Sequence, residues 1–95
     1  MPYVYLLRCG DGSLYAGAAK DLARRLAEHQ AGLASRYTRS RLPVELVWCR
    51  EVESWGDALR EEIQIKRLDR AGKEELLRAG GARPAAPGTG PAEPR

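Results

Sequence analysis

The sequence predicts an α+β fold, a small sheet flanked by helices, and two observations carry that reading. Three runs rich in β-branched and aromatic residues, Tyr3–Cys9, Leu14–Gly17 and Val44–Val52, read as strands. Helical spacing and capping residues mark three other segments: one that ends at His29, one from Ser54 to about Leu68, and one from Arg70 to Ala79.

With 95 residues, the chain has room for one domain with a modest core, not for separate catalytic and recognition domains of ordinary size. That domain spans residues 1–79, and 80–95 (GGARPAAPGTGPAEPR), rich in Pro and Gly without an apolar period, is expected to be a flexible tail. The net charge of +3 and a pI near 9.1 lean toward a polyanionic partner. Distribution says more than the total. Lys20, Arg24, Arg25, Arg36, Arg39 and Arg41 cluster in one stretch opposed only by Asp21 and Glu28.

Cys9 and Cys49 form neither a CxxC pair nor a zinc-like spacing with histidine, so a structural zinc site is not expected. No signal peptide follows Met1-Pro2, and no apolar run approaches ~18 residues. The expectation is a soluble cytoplasmic protein with no membrane segment and with reduced thiols, a single disulfide remaining open.

Gly10-Asp11-Gly12-Ser13 is a turn-forming run, so the strands on either side of it form a hairpin. Tyr5 and Tyr15 lie on its two strands, and their side chains can emerge near each other; taken singly, each is an ordinary half-buried strand tyrosine. Beyond Gly17, Leu22 and Leu26 mark the apolar stripe of the first helix. Arg25 and His29, four residues apart, are placed together along the edge of that stripe, with Arg24 and Glu28 facing the other way. Such a pair suits phosphate handling, or simply lies over the core edge.

Gly32 fits the C-terminal cap of this helix, and Leu33–Leu42 (LASRYTRSRL), with neither helical nor alternating period, reads as a basic loop. Tyr37 interleaved with Arg36, Arg39 and Arg41 suits contact with a phosphate backbone and stacking on a base; an exposed loop is the plainer alternative. Pro43 introduces the third strand. Ser54, with Asp57 three residues on, is a variant capping box. Projection of the helix that follows puts Ala58, Leu59, Ile63 and Ile65 on one broad apolar face, with Glu62 and Lys66 inside it and Glu61 outside. A carboxylate in a buried stripe needs a compensating charge. Lys66, one turn on, is one answer and a metal ion the other. Asp69 caps the last helix, which presents Leu76 and Leu77 to the domain.

In this order the pieces resemble the GIY-YIG nuclease superfamily, and within it a small single-domain bacterial group of the YhbQ-like, UPF0213 type. The matching residues are Val4-Tyr5-Leu6, then Leu14-Tyr15-Ala16-Gly17, then the helix from Asp21 to His29. Arg36-Tyr37-Thr38, Pro43 to Val47, and Ala58 with Glu62, Ile65 and Lys66 extend the match to about Leu77. No single piece is specific; the ordered set is. Departures are Val4 where the superfamily name has glycine, Gln30 for a frequent asparagine, and Ala18-Ala19-Lys20 where a small polar helix cap is usual. The last predicts a weakly capped helix start.

The resemblance implies a small three-stranded antiparallel sheet flanked by helices and a reaction, hydrolysis of a phosphodiester bond with one divalent cation, Mg2+ or Mn2+, held by Glu62. It implies that Arg25 clamps the scissile phosphate and that His29 hydrogen-bonds to a tyrosine or the phosphate. Tyr5 and Tyr15 would orient and deprotonate the attacking water, the choice of base staying open. Lys66 would contact phosphate or neutralise Glu62. DNA is the implied partner, with RNA left open, and Lys20, Arg24, Arg36, Tyr37, Arg39, Arg41 and Lys66 make up the candidate binding surface. The implied function is an endonuclease in DNA repair or processing, acting on branched, damaged or single-stranded DNA. A non-catalytic nucleic-acid-binding module with the same fold and a protein-binding adaptor are the alternatives.

Overall fold

The strand with the longest unbroken apolar run takes the centre of the sheet. In a computed structural model that describes residues 1–79, β1 (Tyr3–Arg8) pairs antiparallel with β2 (Leu14–Ala19) on one side and β3 (Glu45–Glu51) on the other. The Pro/Gly-rich tail expected over 80–95 lies outside the described residues. Val4, Tyr5, Leu6 and Leu7 of β1 are all buried, so side chains that alternate along the strand enter two separate cores. Tyr5 and Leu7 join Leu22, Val44, Leu46 and Cys49 on the face covered by α1 (Leu22–Gln30). Val4 and Leu6 join Ala16, Trp48, Ala58 and Ile65 on the face covered by α3 (Trp55–Lys66). A register shift at Leu6/Leu7 in the β1–β3 pairing marks a bulge.

The helix starts are firmly capped. Asp21 accepts a hydrogen bond from the Arg24 backbone N–H, so the weak start expected from Ala18-Ala19-Lys20 is corrected: β2 runs on through Ala19, and the cap is one residue past that run. Ala31 caps the other end of α1, and Gly32 follows with φ of 79°, the left-handed conformation that a helix exit favours in glycine. The segment expected to be a loop contains one helical turn, α2 (Arg36–Arg39), capped by Ser35. Only Thr38 of that turn is buried, which is why no apolar period announced it.

Ser54 caps α3 through the Asp57 N–H. Its buried stripe is narrower than projected: Ala58 and Ile65 are buried, but Leu59 (39% exposed) and Ile63 (52%) face solvent, continuing the line of Trp55 (37%). Residues 58, 62 and 65 follow the i, i+4, i+7 line of one helix face, so Glu62 stands in the middle of the stripe that packs. The last helix, α4 (Arg70–Ala79), lays Leu76 and Leu77 against the second core and ties Glu74 to Arg8 of β1. Cys9 and Cys49 are buried and not joined by a disulfide. Among the described residues no helix is long and apolar enough to cross a membrane.

Candidate active site

The site begins with Gly17. It lies opposite Tyr5 in the β1–β2 register, and the Tyr5 phenol crosses the strand where a β-carbon at position 17 would stand. Only a residue without a side chain leaves the ring that path. The phenol thus reaches α1, where its Oη lies 2.8 Å from His29 Nε2. The other ring nitrogen, Nδ1, lies 2.9 Å from Thr38 Oγ1, which is itself bonded to Ser35.

His29 is completely buried rather than at the stripe's edge beside Arg25. Seven residues after Leu22, it stands almost directly above that leucine on the apolar face. Burial, with the nearby Arg25 charge, depresses its pKa to about 4, Glu28 opposing, so at neutral pH the imidazole is uncharged. A neutral ring has one donor and one acceptor nitrogen. With Thr38 Oγ1 donating to the Ser35 carbonyl, Nδ1–H donates to Thr38 and Nε2 accepts from the Tyr5 hydroxyl. Tyr5 keeps that proton: burial raises its pKa to about 12, against the pull of the Arg25 guanidinium.

Three further groups act electrostatically on the Tyr5 phenol: Arg25 lowers its pKa, and Tyr15 and Glu62 raise it. Arg25 is partly exposed and pairs with Glu28 at 3.1 Å. Glu28 also holds Arg24 at 3.4 Å, as their shared face predicts, so its carboxylate bridges the two arginines. Glu62, its side chain 19% exposed, pairs through Oε2 with Lys66 Nζ at 3.0 Å. Lys66 in turn lies 5.9 Å over the Tyr15 ring. This meeting of two sheet faces is possible because β2 is an edge strand: side chains from α3 reach past it toward residues on the α1 side.

Tyr15 is half-buried and packs among His29 (ring centroids 5.3 Å apart), Tyr37 (5.6 Å, stacked) and Lys66. The two tyrosines, Arg25, His29 and Glu62 therefore gather at one place. The other basic residues do not. Lys20 stands over Trp55 at 5.3 Å, and Arg24 is exposed. Arg36 and Arg39 line an open pocket of about 310 Å3 with Gly32, Leu33, Ala34 and Ser35. Arg41 pairs with Asp11 at 3.0 Å and lies 3.8 Å over the Tyr37 ring. Thr38, Ser35 and Asp11 had no assigned role in the sequence; Thr38 stood in the Arg36-Tyr37-Thr38 motif, the one available signal.

The donor set bears on what metal could bind. Among the described residues no group of three or more His, Cys, Asp or Glu could hold one. Both His29 nitrogens are already hydrogen-bonded, which leaves the Glu62 carboxylate. A single carboxylate suits a hard cation that keeps several waters and shares substrate phosphate oxygens; it does not suit zinc.

A family model of the GIY-YIG catalytic domain matches residues 1–75, the span that contains every residue gathered around Tyr5 and Tyr15. The chain belongs to the GIY-YIG family. It is similar to a UPF0213 protein of Halobacterium salinarum, 46% identical over 77 residues covering 81% of this chain and all of the relative. A UPF0213 protein of Streptococcus pneumoniae serotype 4 is 45% identical over 75 residues, 79% of this chain and 76% of the relative. Among solved structures, the UPF0213 protein BH0048 from Bacillus halodurans superposes with a TM-score of 0.57 at 41% identity, covering 86% of this chain and 88% of that one. In this GIY-YIG domain the Val4-Tyr5-Leu6 and Leu14-Tyr15-Ala16-Gly17 motifs meet through two cross-strand pairs, Tyr5 with Gly17 and Leu6 with Ala16.

Proposed function

We propose that this GIY-YIG domain is a metal-dependent endonuclease that hydrolyses phosphodiester bonds in DNA, selective for branched, damaged or single-stranded regions and serving repair or processing in the cytoplasm. The observation that supports this most is the run of contacts from the Glu62 carboxylate through Lys66 to Tyr15 and His29, with the Arg25 guanidinium on the helix that carries His29 and acting on Tyr5. A phosphoryl transfer needs these two charges: a cation for the phosphate and an anion for the metal.

Arg25 clamps the scissile phosphate and stabilises the charge that grows on it. Glu62 would hold Mg2+ or Mn2+, which when bound neutralises charge on the phosphate oxygens. We assign the attacking water to Tyr15, since it is half-buried while Tyr5 is fully enclosed and its pKa is pushed up to about 12. Tyr5 and His29 act behind it as a neutral hydrogen-bonded support. Lys66 neutralises Glu62 in the metal-free protein and turns to phosphate in the complex. A lone domain of this size buries limited nucleic-acid surface, so tight sequence specificity is not expected.

The test is to incubate the purified chain with labelled branched and linear DNA, and with RNA, in Mg2+, Mn2+ or EDTA. Metal-dependent cutting that Glu62→Gln or Arg25→Ala lowers by at least about a hundredfold supports the enzyme. Binding without cutting in every metal overturns it and leaves the non-catalytic module.

A further inference from the structure

Resting on the nuclease reading of Tyr15, we propose that Tyr37 and Arg41 are positioning residues for that tyrosine rather than nucleic-acid contacts, and that Asp11 anchors them. The observations form one chain of contacts. Tyr15 stands on an edge strand, and what limits its ring is the packing of His29 and the stacked Tyr37 ring. Arg41 covers Tyr37, its guanidinium 3.8 Å from the ring centre. That guanidinium is committed elsewhere: Nε donates to Asp11 Oδ2 at 3.0 Å, and Nη1 donates to the Tyr37 carbonyl at 3.1 Å and Ser40 Oγ at 3.0 Å. Asp11 is itself held by Ser13, through its N–H at 3.0 Å and its hydroxyl at 2.6 Å.

The backbone repeats the connection. Gly10 N–H donates to the Arg41 carbonyl at 2.6 Å, and a β-carbon on Gly10 would stand only 2.6 Å from the Leu42 carbonyl oxygen. The turn that launches β2 and the segment that carries Tyr37 are thus one joined unit. On the far side of α2, Thr38 bonds to His29. Tyr15 therefore lies between two rings, each fixed from behind: His29 through Thr38 and Tyr5, Tyr37 through Arg41 and Asp11. An arginine used in this way has two of its three guanidinium nitrogens, Nε and Nη1, committed within the fold and is poorly disposed to grip a phosphate with that edge as well.

The experiment is steady-state cleavage by the full chain carrying Tyr37→Ala, Tyr37→Phe, Arg41→Ala or Asp11→Asn, with Tyr15–His29 ring contacts followed by NMR. Expected is a kcat about tenfold lower for Tyr37→Ala and Arg41→Ala at near-constant KM, the pattern of a misplaced group. Tyr37→Phe, which keeps the stacked ring, restores kcat to within about twofold. Asp11→Asn discriminates: a lost anchor lowers kcat, whereas removing an anion beside a phosphate contact would tighten DNA binding. Tighter binding by Asp11→Asn, or a raised KM with a salt slope smaller by about one in Arg41→Ala, overturns the proposal. If the wild-type chain cuts nothing, the nuclease reading fails and NMR decides the positioning alone. Loss of Tyr15–His29 contacts in folded Arg41→Ala upholds it, and their persistence overturns it.

Discussion

Tyr5 and His29, 24 residues apart in sequence, are joined by a fully buried 2.8 Å hydrogen bond, and the burial that encloses it holds the imidazole neutral. A charged ring has no acceptor nitrogen for the Tyr5 hydroxyl. The consequence is a pH dependence with a defined sign. The unfolded imidazole takes its proton near pH 6.5 and the folded one near pH 4, so between these values the unfolded chain holds more protons. Stability from this group is complete above about pH 6.5 and is lost as pH falls toward 4, by up to about 3 kcal/mol. Urea unfolding at pH 7 and pH 4.5 should show the loss in the wild-type chain and a smaller one in His29→Gln. Equal losses in both would remove the role given to His29, because the carboxylates common to the two proteins would then explain all of it.

Gly17→Ala tests the floor beneath the phenol. The added β-carbon would fall on the Tyr5 ring and hydroxyl, which are walled in by the first core and cannot retreat without breaking the bond to His29. Overpacking of this kind typically costs about 1–3 kcal/mol. The thermal midpoint should fall, and cleavage should fall further than the stability change explains, since Tyr15 packs on the same imidazole. An unchanged midpoint would mean that the hairpin yields more easily than its close pairing suggests.

Much of this was legible in the sequence because the signals were local. The β1 run of apolar and aromatic residues, the Gly32 exit and the Ser54 cap each depend on a few neighbouring residues, and the ordered motifs carried the fold. What was not legible depends on contacts between distant segments. His29 reads as an edge residue from helix projection, yet Tyr5 and Thr38 supply the partners that make its burial tolerable. Leu59 and Ile63 read as core because they are apolar, but α3 rotates so that the face carrying Glu62 meets the sheet edge. Arg41 reads as one of several cations, and only the fold shows Asp11 beside it, 30 positions away.

The basic residues should separate in a salt titration of DNA binding. Arg36 and Arg39 line an open pocket, so alanine at either should lower the slope of log K against log salt by about one. Arg24 is exposed and paired with Glu28 at 3.4 Å, and its removal leaves that carboxylate to Arg25 alone, with more of its charge facing the backbone. Arg24→Ala should therefore weaken affinity while changing the slope no more than either pocket arginine does. Fluorescence anisotropy with a labelled single strand between about 50 and 200 mM salt covers the useful range. A flat response to both Arg36→Ala and Arg39→Ala would move the binding surface away from this pocket.

If Glu62 holds the proposed cation, Lys66 and that cation compete for the same carboxylate. The ammonium lies 3.0 Å from Glu62 Oε2, but its side chain is half exposed, so water screens the pair and only a modest energy opposes a cation at Glu62. Replacing Lys66 by Met removes that competitor and should tighten Mn2+ binding by about two- to fivefold, the range expected when a half-exposed ion pair is lost. Glu62→Gln should abolish the binding. Titration calorimetry with MnCl2 on the DNA-free chain measures both without reference to cleavage. Cleavage should nevertheless fall in Lys66→Met, because the ammonium released from Glu62 is then no longer available to the phosphate. If Mn2+ binds Lys66→Met and the wild-type chain equally, the lysine does not guard the carboxylate, and its position over Tyr15 at 5.9 Å becomes its main contribution.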